Sequence, residues 1–303
     1  MSDADLAAWR ARGRRIPVTP HGHQAFVIDD GDQAAAPGET AVLIHGFPES
    51  SYSYRGALPL LRDRFARVVC FDLIGYGFSD KPAKDYTYSM FEQADIVLRV
   101  LRDASVTGCH WVSHDMGDSV TTELLARLNH NSPAWFADGL QSLTLTNGNM
   151  ALKYAKLRAG QKFLLSRLGN RLSRMGNSTR SLTKQIHSAQ GNDKLTDEQV
   201  ADMTSAFTTA APSSLAADLI GYLHERRRFE QIRWLPALRD VRVPVQICWG
   251  ADDRVSPVPV AQYIKREIKP DAKLTVIDGL GHFLQLQDPQ RWYTALAPFW
   301  ERA

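Results

Sequence analysis

The sequence is poor in cysteine, with only three in 303 residues. Cys70, Cys109 and Cys248 are far apart, and each lies in or beside an apolar run. This pattern predicts buried thiols and argues against a disulfide framework or a cysteine-based metal site. No apolar run approaches the length of a transmembrane span. The first five residues, MSDAD, are acidic where a secretory signal would be basic, so we expect a cytoplasmic protein without stable membrane insertion.

Internal repeats and low-complexity tracts are absent too, and the net charge of +3 is modest. Nucleic-acid binding is disfavoured, because aromatic side chains that could stack on bases are not interleaved with the basic residues. With 44% hydrophobic residues, the chain is long enough to bury a large core as one unit plus an insertion. We therefore expect a small-molecule substrate. The sequence does not indicate the oligomeric state.

Strand-like apolar runs alternate with helical runs along most of the chain. This alternation predicts an α/β fold with a mostly parallel sheet and helices on both faces. Residues 1–146 and 236–303 form the predicted core, and the largely helical stretch 147–235 interrupts it as a cap. Active-site loops should then lie beyond the carboxyl ends of the strands.

Acidic residues are missing from one part of this cap. Between residues 151 and 192 there are nine Lys or Arg and no Asp or Glu. Several apolar residues recur there at helical spacing: Leu164, Leu165, Leu168, Leu172 and Met175. We favour an apolar face packed on the core with a solvated basic face. The alternative is a surface that approaches a membrane or attracts amphiphilic substrates with anionic heads.

The most informative motif follows a β-rich run at 109–112. Ser113 and Gly117 flank Asp115, and a helix-like run follows at 119–128. A nucleophile elbow is a tight turn between a strand and a helix. Its typical sequence has the nucleophile in the middle, a small residue two positions before it and Gly two positions after it. A helix N-cap also favours Asp, so this motif needs support from the rest of the chain.

An Asp at the elbow indicates a particular chemistry. A carboxylate is ionised at neutral pH without a base, because its unperturbed pKa is about 3.9. Its attack on an acyl group would give a reactive anhydride, whereas its attack on sp³ carbon gives a stable ester. Asp115 therefore points away from esterases and toward opening a C–O or C–halogen bond through an alkyl-enzyme intermediate.

Further motifs follow other apolar strands in a consistent order. The strand at 41–44 runs into HGFPES at 45–50, and the strand at 68–72 runs into LIGYGFSDKP at 73–82. Near the C-terminus one strand ends in GADDRVSP at 250–257, and the next ends in DGLGH at 278–282. His282 thus follows Asp115 and an acid in chain order. Asp252 and Asp253 compete to orient it.

On these motifs the chain resembles the Asp-nucleophile branch of the α/β-hydrolases, which holds epoxide hydrolases and haloalkane dehalogenases. Within that branch it is similar to hydrolases related to the mesoderm-specific transcript protein. The resemblance runs from about residue 20 to the C-terminus and is thin between about 150 and 215. It implies Asp115 as nucleophile, His282 as base and Asp253 as the acid that orients it. It also implies backbone N–H groups of Phe47 and Met116 as an oxyanion hole.

Departures from the better-known subfamilies also bear on function. Haloalkane dehalogenases hold the halide with Trp after the nucleophile and Asn after the His-Gly pair, where this chain has Met116 and Phe47. Neither side chain can donate a hydrogen bond. Epoxide hydrolases instead use cap Tyr phenols to protonate the ring oxygen. Tyr222 matches the late-cap Tyr, with Tyr154 as a partner, although an amphipathic Tyr at an inter-domain face would give the same pattern.

Three functions remain open from the sequence. The first is hydrolysis of a small apolar or amphiphilic epoxide, without a cofactor or metal. The second is dehalogenation with an unusual halide donor such as Asn147, Asn149 or Trp234. The third is a non-catalytic binding role, because fold does not determine function.

Overall fold

The computed structural model describes residues 2–148, 150–155, 157, 159–174 and 179–301. Asn149 and Met175, named above, lie outside these residues. The described chain forms one eight-stranded sheet in the order β1-β2-β4-β3-β5-β6-β7-β8. Its strands are β1 Arg14–Pro17, β2 Gln24–Gly31, β3 Thr40–Ile44, β4 Arg67–Phe71, β5 Gly108–His114, β6 Gly139–Thr146, β7 Val245–Gly250 and β8 Lys273–Ile277.

Strand direction places the loops that matter for function. β2 pairs antiparallel with both β1 and β4, whereas β3 to β8 run parallel to one another. The carboxyl ends of six strands therefore meet at one edge of the sheet. This is the mostly parallel sheet that the sequence predicts.

Both faces of the sheet are covered, which explains why β3 and β5 are buried throughout. Successive side chains of a strand point to opposite faces. Val42 and Ile44 accordingly join one apolar cluster, and Ala41 and Leu43 join the other. Each cluster is completed by helices, and burying a Val or Leu side chain contributes about 1.5–3 kcal/mol.

One helix precedes the first strand, and the others lie between and after the strands. They are α1 Ser2–Ala11, α2 Leu58–Arg64, α3 Met90–Asp103, α4 Met116–Leu128, α5 Ala159–Leu165, α6 Arg167–Ser173, α7 Thr179–Ala189, α8 Asp197–Thr208, α9 Leu215–Leu219, α10 Tyr222–Phe229, α11 Leu235–Asp240, α12 Pro259–Tyr263, α13 Leu284–Gln287 and α14 Pro289–Trp300. Short 3₁₀ turns occur at Pro37–Glu39 and Ser51–Tyr54, and π-helical turns at Glu230–Trp234 and Ile264–Ile268. Helices α5 to α11 all fall between β6 and β7.

Two sequence predictions about apolar segments can be compared with the structure. Cys70, Cys109 and Cys248 are buried free thiols in β4, β5 and β7. Among the described residues, no helix combines the length and the apolar character needed to cross a bilayer.

Candidate active site

Five neighbouring strands end where the candidate residues begin. In the sheet β3, β5, β6, β7 and β8 are consecutive. The residues after them include Phe47, Asp115, Asn147, Asp253 and His282. Residues that are up to 235 positions apart in the chain therefore meet at one edge because the strands are parallel.

Asp115 sits at a strained turn between β5 and α4. Its φ of 46° and ψ of −112° lie outside the regions that a residue with a side chain ordinarily adopts. The turn is compact, since a Cβ on Gly117 would lie 2.7 Å from the His45 carbonyl oxygen. A Cβ on Gly46 would lie 2.6 Å from Asp115 Cβ. Glycine at both positions lets the loop after β3 approach the elbow.

The Asp115 carboxylate faces two groups. The Phe47 backbone N–H, in the loop after β3, donates to Oδ2 at 3.0 Å. Oδ1 lies 3.8 Å from His282 Nε2, which is longer than a hydrogen bond. Met116 begins α4, and the first N–H groups of a helix have no partner within it. Its side chain is buried, and Sδ accepts from Tyr76 Oη at 3.1 Å.

His282 is buried between two carboxylates. Its Nδ1 lies 2.9 Å from Asp253 Oδ2, so Asp253 rather than Asp252 reaches the ring. Burial disfavours the imidazolium, but Asp253 and Asp115 outweigh it and raise the pKa of His282 to about 9. In the free protein His282 is therefore largely protonated near neutral pH.

Asp253 is itself held rigidly. Oδ1 accepts from the backbone N–H groups of Val255 and Ser256, at 2.7 and 2.9 Å. Asn147 Nδ2 donates to Asp253 Oδ2 at 2.7 Å and to the Gly281 carbonyl at 3.0 Å. The sequence offered Asn147 only as a halide donor. The structure instead gives it a supporting contact with Asp253, and its amide is already used.

Trp234, a second halide donor considered from the sequence, does not line the cavity over Asp115. Trp234 Nε1 donates to Glu123 Oε2 at 3.0 Å, so this indole N–H is also occupied. Asn149 lies outside the described residues. The described residues that line the cavity thus include neither Asn147 nor Trp234.

A cavity of about 40 Å³ lies over Asp115 and His282. It is mostly apolar, as ligand pockets are, with a few convergent polar groups. Its walls are Phe47, Pro48, Asp115, Gln161, Leu182, Gln185, Ile186, Ala189, Tyr222, Val255, His282 and Phe283. Helices between β6 and β7 supply half of this lining.

Tyr222 lines this cavity from the start of α10 and is almost completely buried. Burial raises the pKa of its phenol, and the nearby charge of Asp115 raises it further. The phenol hydrogen-bonds with Gln161, another cavity residue. Arg226, four residues on, stacks its guanidinium 4.7 Å from the Tyr222 ring centroid. Tyr222 is therefore a protonated donor held beside Asp115.

Tyr154 does not join the same site. Its ring lies 5.2 Å from the Tyr263 ring and near Lys153, and it is not among the cavity walls. The prediction that Tyr154 pairs with Tyr222 is not supported by this placement. The loop after β6 carries Tyr154 toward α12, where an amphipathic phenol packs at the edge of the core.

Sequence analysis missed a buried contact between a histidine and a carboxylic acid side chain behind His282. His114 Nδ1 contacts Glu49 Oε2, and His114 Nε2 donates to the His282 carbonyl at 2.8 Å. The contact with Glu49 favours the protonated form of the His114 ring. Glu49 raises the pKa of His114 more than burial lowers it. Glu49 also accepts from Gln285 Nε2 at 2.8 Å. The position of His114 directly before Asp115 was the available signal.

Arg226 is a second residue near the site that the sequence analysis did not single out. It is fully buried, and Nε donates to Ser119 Oγ at 2.8 Å. Its helical spacing of four residues from Tyr222 was the only sequence signal. In the described part of the chain, no group of three or more His, Cys, Asp or Glu side chains is placed to hold a metal ion.

Comparison with known proteins identifies the fold independently. A family model described as alpha/beta hydrolase fold matches residues 41–289. The protein LipZ of Mycobacterium tuberculosis is 36% identical over 97% of this chain and 98% of its own length. The mesoderm-specific transcript protein of Mus musculus is 31% identical over 97% of this chain and 87% of its own length.

Solved structures share the same architecture at lower identity. A bromoperoxidase from Bacillus anthracis has a TM-score of 0.74 at 16% identity, covering 95% of this chain and 99% of its own. An esterase from Exiguobacterium antarcticum has a TM-score of 0.73 at 20% identity, covering 95% and 99%. At these identities the likeness concerns the fold alone. The predicted fold class and the resemblance to mesoderm-specific transcript proteins are confirmed.

Proposed function

The chain belongs to the α/β-hydrolase fold family, and we propose that this hydrolase opens epoxides through an ester on Asp115. The observation that carries the proposal is the pairing of a carboxylate at the strained elbow with a phenol in the same small cavity. A carboxylate nucleophile suits sp³ carbon, and a phenol suits an alkoxide leaving group that needs a proton. Residues 147–235 act as the cap that brings this phenol to the core.

In the first step Asp115 Oδ1 attacks a ring carbon as the ring C–O bond breaks. Oδ2 stays bound to the Phe47 N–H and becomes the ester carbonyl oxygen. Tyr222 donates its proton to the ring oxygen, which leaves as a hydroxyl group. Burial of Tyr222 keeps the phenol protonated and ready to donate.

In the second step His282 takes a proton from water, which attacks the Asp115 carbonyl carbon. The developing oxyanion on Oδ2 faces the N–H groups of Phe47 and Met116. Collapse breaks the Cγ–Oδ1 bond of Asp115, and the departing oxygen takes the remaining proton of the attacking water to complete the diol. The water oxygen then restores the carboxylate. Asp253 holds the imidazole with its proton on Nδ1, which leaves Nε2 free to accept.

The charges explain how His282 can be protonated first and basic later. In the free enzyme the Asp115 carboxylate helps to hold the pKa of His282 at about 9. Ester formation removes that negative charge, so the pKa of His282 falls in the intermediate. His282 then gives up its Nε2 proton, which replaces the proton that Tyr222 donated to the ring oxygen. The neutral imidazole can now accept a proton from water.

The test traps the intermediate. His282→Gln retains a planar polar side chain but cannot act as a base, so we expect it to accumulate an adduct on Asp115. Intact-protein mass spectrometry should show a mass increase equal to the epoxide used, and peptide mapping should place it on Asp115. Fresh Asp115→Asn protein is the matched control and should show none. An adduct on another residue, or turnover of Asp115→Asn at the wild-type rate, would refute the mechanism.

A further inference from the structure

The cap exposes an apolar cluster on α5 and α6. Phe163 is 49% exposed, Leu168 66% and Leu172 48%. The other exposed large apolar side chains in the described chain are Ile232 and Val276, which are single and far away in sequence. Scattered apolar residues need no explanation, but three within ten positions form a patch that indicates a partner.

Packing of α6 explains why these leucines face outward. A Cβ on Gly169 would lie 1.9 Å from the Phe163 carbonyl oxygen, so this side of α6 is pressed against α5. Asn170 donates to the Ala217 carbonyl at 3.2 Å on α9. Leu168 and Leu172 are spaced four residues apart and share the exposed side.

The same surface is strongly cationic. Arg167 and Arg171 alternate with the two leucines, and Lys162, Arg180 and Lys184 are also exposed. None of these five forms an ion pair with a described residue. Arg174 pairs with Asp218 at 2.6 Å. With no Asp or Glu between residues 151 and 192, this segment gives the surface an excess of positive charge.

An apolar chamber lies directly behind the patch. Its volume is about 240 Å³, and Phe163 and Leu172 form part of its walls while remaining exposed. Phe47, Leu182 and Gln185 line both this chamber and the cavity over Asp115. Apolar walls therefore extend from the patch to the reacting carboxylate.

We propose that the lipid face, defined as Lys162, Phe163, Arg167, Leu168, Arg171 and Leu172, docks on an anionic lipid bilayer. The apolar side chains enter the interface while the cations bind lipid headgroups, which is the usual arrangement of an interfacial amphipathic helix. Hydrocarbon substrates then enter the chamber from the bilayer. This last step rests on the proposed function, whereas docking does not.

Docking is tested with the full chain and sedimented vesicles. Wild type should bind phosphatidylcholine vesicles that contain phosphatidylserine, bind pure phosphatidylcholine vesicles much more weakly, and be released by salt. Leu168→Ser and the double variant Arg167→Glu, Arg171→Glu should each reduce binding by about tenfold or more. Matched controls are Ile232→Ser and Arg99→Glu, an exposed apolar residue and an exposed cation elsewhere.

Two outcomes would overturn the docking proposal: no binding to phosphatidylserine vesicles at low salt, or equal losses in the controls. Turnover of a short water-soluble epoxide separates this proposal from the proposed function, because Leu168 lines neither cavity. Leu168→Ser should keep wild-type turnover of that epoxide. Vesicle binding without any epoxide turnover would uphold docking and refute the epoxide chemistry. The wild type could fail to bind vesicles while the double variant Arg167→Glu, Arg171→Glu loses turnover of a soluble anionic epoxide. That result would overturn docking and indicate that the two arginines bind the substrate.

Discussion

Single residues carry the chemistry here through their charge state. Tyr222 and His282 both approach the Asp115 carboxylate, and both must hold a proton at one stage of the proposed reaction. Burial favours the neutral phenol of Tyr222, whereas two carboxylates favour the imidazolium of His282. The negative charge of Asp115 thus raises the pKa of both groups and favours the protonated form of each.

Removing the phenol tests whether an alkoxide leaves. Tyr222→Phe should slow adduct formation from an epoxide by about 10²–10⁴-fold, because a general acid typically contributes that factor. Turnover of a haloalkane, where the halide leaves as a stable anion, should change much less. Rapid-quench mass spectrometry of the His282→Gln background measures the step directly. Tyr154→Phe is the control, since that ring packs on Tyr263. Wild-type epoxide opening in Tyr222→Phe would remove Tyr222 from the mechanism.

Removing the charge of Asp115 tests whether this carboxylate raises the pKa of His282. Asp115→Asn should lower the pKa of His282 from about 9, because a negative neighbour that favours the imidazolium is lost. Histidine-labelled NMR titration measures it, with His282→Gln identifying the signal. Asp252→Asn removes a neighbouring carboxylate that faces Asn192 instead, and should leave the titration unchanged. An unchanged pKa in Asp115→Asn would contradict the coupling.

At the scale of elements, the elbow depends on how closely β3, β5 and α4 approach. Asp115 N–H donates to the Thr146 carbonyl at the end of β6, so the turn is fastened to the neighbouring strand. Backbone atoms leave no room for a side chain at Gly117 on the first turn of α4. The strained φ of Asp115 is maintained by these contacts.

A single methyl group should disturb this arrangement. Gly117→Ala places Cβ 2.7 and 2.8 Å from the carbonyl oxygens of His45 and Ile44, so the oxyanion loop must move away. We expect a loss of stability on the order of 1–3 kcal/mol in urea unfolding, together with slower ester formation. Gly38→Ala, with open space around its Cβ, is the control. Equal stability of the two variants would mean that the loop adapts without cost.

At the scale of the molecule, one buried carboxylate joins α4 to the π-helical turn Glu230–Trp234. Glu123 of α4 accepts from Arg233 Nε at 2.7 Å and from Trp234 Nε1 at 3.0 Å, both in the segment that leads back to the core. Arg127 Nε donates to it as well, at 2.9 Å. Burial alone would raise the pKa of Glu123, but these hydrogen-bond donors outweigh burial and lower it below its usual 4.5.

Removing the negative charge of Glu123 should lower the free energy of unfolding of the whole protein. Glu123→Gln should lose about 1–3 kcal/mol at neutral pH, because charge-assisted hydrogen bonds are replaced by weaker ones. Because the pKa of Glu123 is lower in the folded state, its ionised form stabilises the fold at pH values above the pKa of the unfolded state. This contribution is lost as the pH falls through the pKa of the folded state. The deficit should therefore shrink in urea unfolding below about pH 4. The exposed Glu39→Gln serves as control; a deficit that persists in acid would show that packing, not charge, was lost.

Much of the candidate site was predictable because its residues follow strands within short motifs. Residues 45–50, 113–117, 250–257 and 278–282 each mark a turn at a strand end, and parallel strands bring such turns together. Asp115, Asp253 and His282 are thus near one another as expected. Their catalytic roles stay predictions.

The helices between β6 and β7 were less predictable. Tyr222 and Tyr154 looked alike in sequence, yet one lines the cavity and the other packs on Tyr263. Which way a side chain of these helices points depends on helix packing, and helical periodicity does not reveal that. The same reason hid the contacts of Arg226. Asn147 follows β6, and its contact with Asp253 arises because β6 and β7 are neighbours in the sheet.

The sequence by itself determined the fold class and the identity of the elbow residue, because those depend on local strand, turn and helix patterns and on residue type. Only the tertiary structure decided which polar groups meet. Glu49 reaches both His114 and Gln285, which is 236 positions away, and Glu123 receives Arg233 from 110 positions away. Such contacts are created when separate elements pack, so no local pattern in the chain specifies them.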